Sequence, residues 1–281
     1  MKITKHISFY YVPDRIVYVN NIINETNTYP YPTDMFIHTN SAELQASDFQ
    51  LYTNGSIHIV YHDLSGIHPF YLTHKCRDLL KQQQDDYDIF MYIEDDILVP
   101  WKAITYWLEY HEKLVARHYN LGFLRIEVEN NTEYITDLHG EPLDTVINVD
   151  DTKYGVNNKN PYCAFWIYDK NEFTRFVNSP FYQIKNIPTY GIREQSAFGL
   201  HGKGMTWYKN TVIPIISDKL CEDCKIYHMP NNYVTDKTSR FATVKFDEAI
   251  QLRPGPSFNP RRFTQRPRAT MPWFLGTKTK V

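Results

Sequence analysis

Hydrophobic positions change their spacing several times along the chain, and each change predicts an element. His6 to Val12 alternates and is rich in Ile, Phe and Tyr, which predicts a first strand. Pro13-Asp14 opens a helix that carries Ile16, Val19, Ile22 and Ile23 on one face. Two more strands are expected at Asp34 to Thr39 and Ser56 to Tyr61, ended by Asn40-Ser41 and His62-Asp63. Phe70 to Lys81 reads as a helix. Asp88 to Ile93 then contains an unbroken apolar run, Ile89-Phe90-Met91-Tyr92-Ile93, of the kind found in a strand buried on both faces. A proline-started helix follows, with Trp101, Ile104, Leu108, His111 and Val115 at helical spacing. This β-α-β-β-α-β rhythm with short connections predicts the start of a nucleotide-binding α/β layer.

After Asn120 the rhythm changes. Leu121 to Val128 and Glu133 to Leu138 predict a hairpin turning near Asn130-Asn131, and Val146 to Val149 a further strand. Tyr162 to Tyr168 is a strongly apolar strand and Glu172 to Val177 a short helix. A loop over Pro180 to Tyr190, a helix over Ile192 to Leu200 and a strand over Thr211 to Ile216 complete the pattern. From Phe246 the chain is rich in Pro and Arg. Residues 1–120 therefore read as a donor-nucleotide half, 121–245 as an acceptor half of the same domain, and 246–281 as a tail.

Composition narrows the function classes. The chain has 281 residues, 42% of them hydrophobic, enough to bury a core; its net charge of -2 gives no case for nucleic acid. Four cysteines are too few for a disulfide framework in a chain this long. Met1 to His6 has no apolar leader, and no run approaches the length of a membrane span, so a soluble cytoplasmic protein is expected.

The central strand runs straight into Glu94-Asp95-Asp96. An unpaired buried carboxylate costs several kcal/mol, roughly, so the acids belong at the strand's carboxyl end, where open α/β sheets place ligands. A hard divalent cation would relieve their mutual repulsion. Strand alternation puts Glu94 and Asp96 on one face and Asp95 on the other. The plain alternative is a solvated turn that caps the following helix.

Ile93-Glu94-Asp95-Asp96-Ile97-Leu98-Val99-Pro100 resembles the Glu-Asp-Asp variant of the Asp-X-Asp motif in GT-A fold glycosyltransferases, with the N-acetylglucosaminyltransferase I type the most similar. His74-Lys75-Cys76-Arg77 is similar to a His-X-X-Arg segment near the nucleotide in that family. The resemblance covers about residues 70 to 115. It implies a Rossmann-like, mainly parallel sheet flanked by helices. It also implies a nucleotide-diphosphate sugar donor, most simply a UDP-sugar, with Mn²⁺ or Mg²⁺, and a glycan hydroxyl as acceptor. Asp96 would ligate the metal, while Glu94 or Asp95 would contact ribose or metal-bound water. His74 and Arg77 would lie near the nucleotide. The helix-start carboxylate that serves as base in an inverting enzyme matches Glu194, in Gly191-Ile192-Arg193-Glu194. As alternative bases we consider Asp144, Asp150 and Asp151.

Other residues are weighed on their own chemistry. Val12 and Arg15 follow the first strand, and Asn40 and Asp63 end the next two, where base, ribose and diphosphate would be held. His228 is a late histidine that either ligates the metal or packs. Cys221, Cys224 and His228 together offer three zinc-type ligands without a fourth nearby. Asn160 to Trp166 could floor a sugar site or simply pack. The tail's Arg253, Arg261, Arg262, Arg266, Arg268, Lys278 and Lys280 default to a solvated charge run. The leading expectation is a metal-dependent inverting hexosyl- or pentosyltransferase. A retaining enzyme of the same fold, a sugar nucleotidyltransferase and a non-catalytic glycan-binding module are the alternatives. The glycine-free Tyr11-Val12-Pro13-Asp14-Arg15 speaks against the nucleotidyltransferase.

Overall fold

The computed structural model describes residues 1–182, 191–196 and 208–251. Along the first part run β1 (Ile3–Phe9), α1 (Ile16–Thr26), β2 (Thr33–Thr39), β3 (Ile57–Tyr61), α2 (Arg77–Gln82) and β4 (Ile89–Glu94). There follow β5 (Ile97–Leu98), α3 (Trp101–Ala116), β6 (Asn120–Leu121), β7 (Leu124–Glu129), β8 (Thr132–Ile135), β9 (Val146–Val149) and β10 (Thr152–Val156). The remainder comprises β11 (Phe165–Asp169), α4 (Lys170–Val177), α5 (Ile192–Ser196), β12 (Thr211–Ile216), β13 (Lys219–Leu220), β14 (Lys225–His228), α6 (Asn232–Thr235) and β15 (Val244–Lys245).

The fold is mixed α/β. Its first sheet has the order β11-β4-β1-β2-β3, with β1 to β4 parallel and β11 antiparallel on the edge. The expected element order of the first part holds. From β1 the chain steps outward to β2 and β3, then crosses back to lay β4 on the other side of β1. The carboxyl ends of β1 and β4 therefore flank a topological switch point, and that is where a cleft opens. Two further five-stranded sheets, of shorter strands, are β13-β12-β10-β9 with β6 beside β12, and β15-β8-β7-β14-β5, the last drawing β5 from the first part of the chain. The hairpin β7–β8 turns at Asn130 and Asn131, both at positive φ (50° and 60°), as a two-residue turn of the primed kind requires.

Several boundaries differ from expectation for physical reasons. β1 starts at Ile3 and every residue in it is buried, including Lys5 and His6. The expected strand begins at His6 and runs to Val12, whereas β1 ends at Phe9; the polarity of Thr4 and Lys5 hides its beginning, since both are buried on dedicated partners. The Lys5 ammonium donates to Thr26 Oγ1 (2.6 Å) and Tyr29 Oη (3.0 Å), and burial lowers its pKa to about 7. The helix expected over Phe70 to Lys81 is split into a 3-10 turn, Pro69–His74, and α2. Residues 246–251 belong to the packed body: Leu143 pairs with Ile250, and its N–H donates to Ala249 O at 2.7 Å. The remaining tail cations, the loop from 183 and the helix end from 197 lie outside the described residues. Among the described residues no helix is long and apolar enough to cross a membrane.

Three imidazoles cross the first sheet in a row. His6 Nδ1 lies 2.8 Å from His38 Nε2, and His38 Nδ1 lies 2.8 Å from His62 Nε2. His6 Nε2 donates to Gln83 Oε1 at 2.9 Å, which fixes its tautomer because that oxygen only accepts. Burial holds His6 down to about 3. The folded state therefore refuses a proton that the unfolded chain accepts near pH 6.5. This contribution is complete above pH 6.5 and is lost as pH falls toward 3, at about 1.4 kcal/mol per pH unit. Urea midpoints at pH 7 and pH 5 should fall more steeply in the wild type than in His6→Gln. Equal slopes would mean that the folded chain protonates His6 freely.

Candidate functional site at the switch point

The apolar run of β4 ends at Glu94, and the chain turns through Asp95 and Asp96 before β5. Backbone hydrogen bonds fix that turn from two sides: Asp95 N–H donates to Ser8 O (3.1 Å) and Met229 N–H to Asp96 O (3.0 Å). The two-residue β5 pairs with β14, setting Ile97 opposite His228, and β14 lies parallel to β7. A short pairing far apart in sequence thus brings His228 beside Asp96. The expected alternation fails here. The turn begins after Glu94, so all three carboxylates line one cleft.

The acids are buried, at 6%, 6% and 7% exposure, which excludes the solvated turn. Helix capping does not explain them either, since Glu25 Oε1 accepts from Trp101 N–H at 3.0 Å and occupies the start of α3. Arg15 grips Asp95 with Nε and Nη2 at 2.7 and 2.8 Å, and its Nη2 also donates to Asp96 Oδ2 at 2.9 Å. Glu94 accepts from the Tyr162 hydroxyl and from Arg193 Nη1 at 3.2 Å. Burial pushes the Asp95 carboxyl up to about 7 against the pull of the Arg15 fork. Burial likewise raises Glu94, with Arg193 opposing. For Asp96 burial is overridden by His228 and Arg15, which hold it below the usual carboxylate range.

His228 Nε2 lies 3.5 Å from Asp96 Oδ2, while its Nδ1 meets Glu127 Oε1. Glu127 is fully buried and anchored by Val234 N–H at 2.6 Å and Tyr233 N–H at 3.3 Å, at the start of α6. A carboxylate on one ring nitrogen leaves the other aimed at a cation, the arrangement that orients metal-binding histidines. Asp96 Oδ1 is buried and has no hydrogen-bond partner. An orphaned anionic oxygen beside an oriented imidazole fits a divalent cation.

The cleft holds about 330 Å³. It brings together Val12, Arg15, Glu94, Asp95 and Asp96 from the predicted set, with His228 behind Asp96. Other predicted residues lie elsewhere. Asn40 Oδ1 accepts from Tyr11 N–H at 2.8 Å, and Asp63 is an exposed turn residue that accepts from Ser65 N–H at 2.8 Å. Arg77 is buried and donates to Tyr182 O and to Ser196 O (2.7 Å), away from the cleft. His74 Nε2 donates to Ile192 O at 2.8 Å, which helps place Arg193. Glu194 is not in the cleft wall; its carboxylate folds back over Gly191, where any added Cβ would meet Oε2. Of the alternative bases, Asp144 lies 3.6 Å from Lys159 Nζ and Asp150 bonds Arg117 at 2.8 Å. Cys221 and Cys224 are buried thiols, and His228 faces carboxylates instead of them. Trp166 packs with Tyr92 and Phe176 in the core.

Sequence reasoning missed Arg193, Glu127, Tyr10 and Phe70, and met Tyr162 only as part of a segment that could floor a sugar site or pack. Tyr10 and Phe70 are 42% and 44% exposed on the cleft wall, and the Arg193 guanidinium lies 4.6 Å over the Phe70 ring. In the sequence Tyr10 falls inside the expected first strand and Phe70 opens the expected helix, so both read as packing residues. The described residues thus define a mixed α/β protein with a buried acidic cleft at its switch point. No family model matches the chain, and no curated protein matches it. Among solved structures it is similar to S. aureus TarS 1-349, at 12% identity and a TM-score of 0.41, over 83% of this chain and 63% of that one. The chain therefore spans less than two thirds of that chain.

Proposed function

We propose that the protein is a metal-dependent glycosyltransferase of GT-A architecture, moving a sugar from a nucleotide-diphosphate donor to a glycan hydroxyl. UDP-sugars are the leading donors. The observation that carries the reading is the buried Asp96–His228–Glu127 chain at the switch point, with Asp96 Oδ1 orphaned. Asp96 and His228 would hold the ion, and the imidazole suits Mn²⁺ better than Mg²⁺. Such an ion, when bound, supplies positive charge for the diphosphate that leaves the sugar. Arg15 and Arg193 offer donors to phosphate oxygens on either side of the acids. Tyr10 and Phe70 offer faces for a base. The first 120 residues would supply most of the donor site and 121–245 the acceptor side.

For an inverting reaction Glu194, one residue along the turn from Arg193, is the proposed base; its carboxylate would swing from Gly191 into the cleft to act. Glycine-free Tyr11 to Arg15 disfavours a nucleotidyltransferase, and turnover separates an enzyme from a glycan-binding module. Nucleotide sugars should be screened for Mn²⁺-dependent thermal stabilisation, followed by release of the nucleotide diphosphate. We expect one UDP-sugar to stand out, and no stabilisation by any donor would refute the reading. Glu194→Gln should keep donor binding and lose transfer by a factor of about 100 or more; full activity would send the base elsewhere.

A further inference from the structure

At the far end of the first sheet, a second cleft of about 590 Å³ opens between α3 and the β11–α4 corner. His111, Asp169 and Glu172 present one ligand atom each, all within 4.8 Å of one another. Asp169 pairs with Ile89 across the strands, while the acidic site begins at Glu94. Five residues of strand, about 16 Å, separate the two.

We propose that His111, Asp169 and Glu172 bind a divalent transition-metal ion, Zn²⁺ by the character of the donors. His111 Nδ1 donates to Trp107 O at 2.8 Å, which turns Nε2 toward Asp169 and makes it the ring's ligand atom, open to an ion once its proton is displaced. Nε2 lies 3.3 Å from Asp169 Oδ2, close to the roughly 3.4 Å spacing that tetrahedral zinc imposes on two ligands. Glu172 is 6% exposed, and its Oε2 has no hydrogen-bond partner. Its other oxygen accepts from the Tyr208 hydroxyl at 2.5 Å, so the carboxylate is already oriented from behind. Asp169 is also held, accepting from Glu172 N–H at 2.7 Å as the cap of α4. Three oriented ligands, one of them an orphaned buried oxygen, leave a coordination position open to the cleft. An imidazole with two carboxylates suits zinc better than magnesium or calcium. The ion would tie the middle of α3 to the start of α4.

The test uses the full chain carrying Asp96→Asn, so that the acidic cleft is silenced. Equilibrium dialysis against ZnCl₂ should give one bound Zn²⁺ per chain, with Tm raised by about 5 °C at saturating metal. Adding Glu172→Gln or His111→Gln should weaken binding at least about 10-fold and remove the Tm shift. Unchanged Zn²⁺ affinity in both variants would overturn the proposal, as would no binding in Asp96→Asn. Co²⁺ substitution in the Asp96→Asn chain gives a second reading. Visible bands without a thiolate charge-transfer band are expected, whereas a thiolate band would place the ion at Cys221 and Cys224 and overturn the proposal.

Discussion

Asp96→Asn is expected to abolish Mn²⁺-dependent binding of UDP, with a loss of at least about 100-fold in affinity by calorimetry. The substitution keeps the size of the side chain and removes the charge that a cation needs. Every contact around Asp96 is built for an anion: Arg15 Nη2 at 2.9 Å, His228 Nε2 at 3.5 Å and an oxygen with no donor at all. Loss of a merely structural carboxylate would lower stability and leave the metal dependence in place. Removal of one ligand of a two-residue cation site acts on the metal dependence itself. An Asp96→Asn protein that binds UDP with Mn²⁺ as tightly as the wild type would end the assignment of this cleft as a metal site.

The largest expected effect on stability is that of Asp137→Ala. Arg125 and Asp137 are 7% and 4% exposed and joined by two bonds, Nε to Oδ2 at 3.0 Å and Nη2 to Oδ1 at 2.7 Å. Deleting the acid leaves a guanidinium buried without its partner, a change that costs about 3–5 kcal/mol. That is a large part of the roughly 5–15 kcal/mol that holds a domain together. The same guanidinium lies 5.9 Å from the Tyr162 ring and 5.8 Å from the Tyr233 ring. Tyr162 bonds Glu94, and Tyr233 stacks on His228 at 5.1 Å. Nucleotide binding should therefore weaken along with stability. Replacing both partners, Arg125→Met with Asp137→Leu, should restore most of the stability because no charge is then stranded. Urea unfolding decides the matter: a midpoint for Asp137→Ala within error of the wild type would show that the pair is not doing this.

The sequence made the ends of β4 legible because burial on both faces leaves a plain signature, an apolar run that must stop before its acids. Lys5 falls outside the expected first strand for the opposite reason, being a polar residue whose burial depends on Thr26 and Tyr29, far off in the chain. The three-carboxylate cleft was legible as a cluster but not as a geometry. Alternation along a strand predicts opposite faces, and only the hydrogen bonds from Asp95 and Met229 reveal the turn. Glu127 gave no sign of itself, since it sits in an alternating strand as any solvent-facing acid would. Its burial follows from the pairing of β7 with β14, about 100 residues later. Likewise His74 and Arg77 carried a family-like spacing, yet both bond backbone carbonyls of α5, the helix that carries Arg193.

The antiparallel edge strand β11 has a consequence for how the chain assembles. β4 is flanked by β1 on one side and by β11 on the other, and β11 begins at Phe165. During synthesis β1 to β4 can pair as soon as residue 94 has emerged, but the outer edge of β4 then waits for about 70 further residues. Until they arrive, a buried-type apolar strand presents a row of unpaired N–H and C=O groups, the kind of template on which chains aggregate. A fragment cut at residue 120 would keep that exposed edge permanently. Folding of the first 120 residues is thus timed by the residues that follow them.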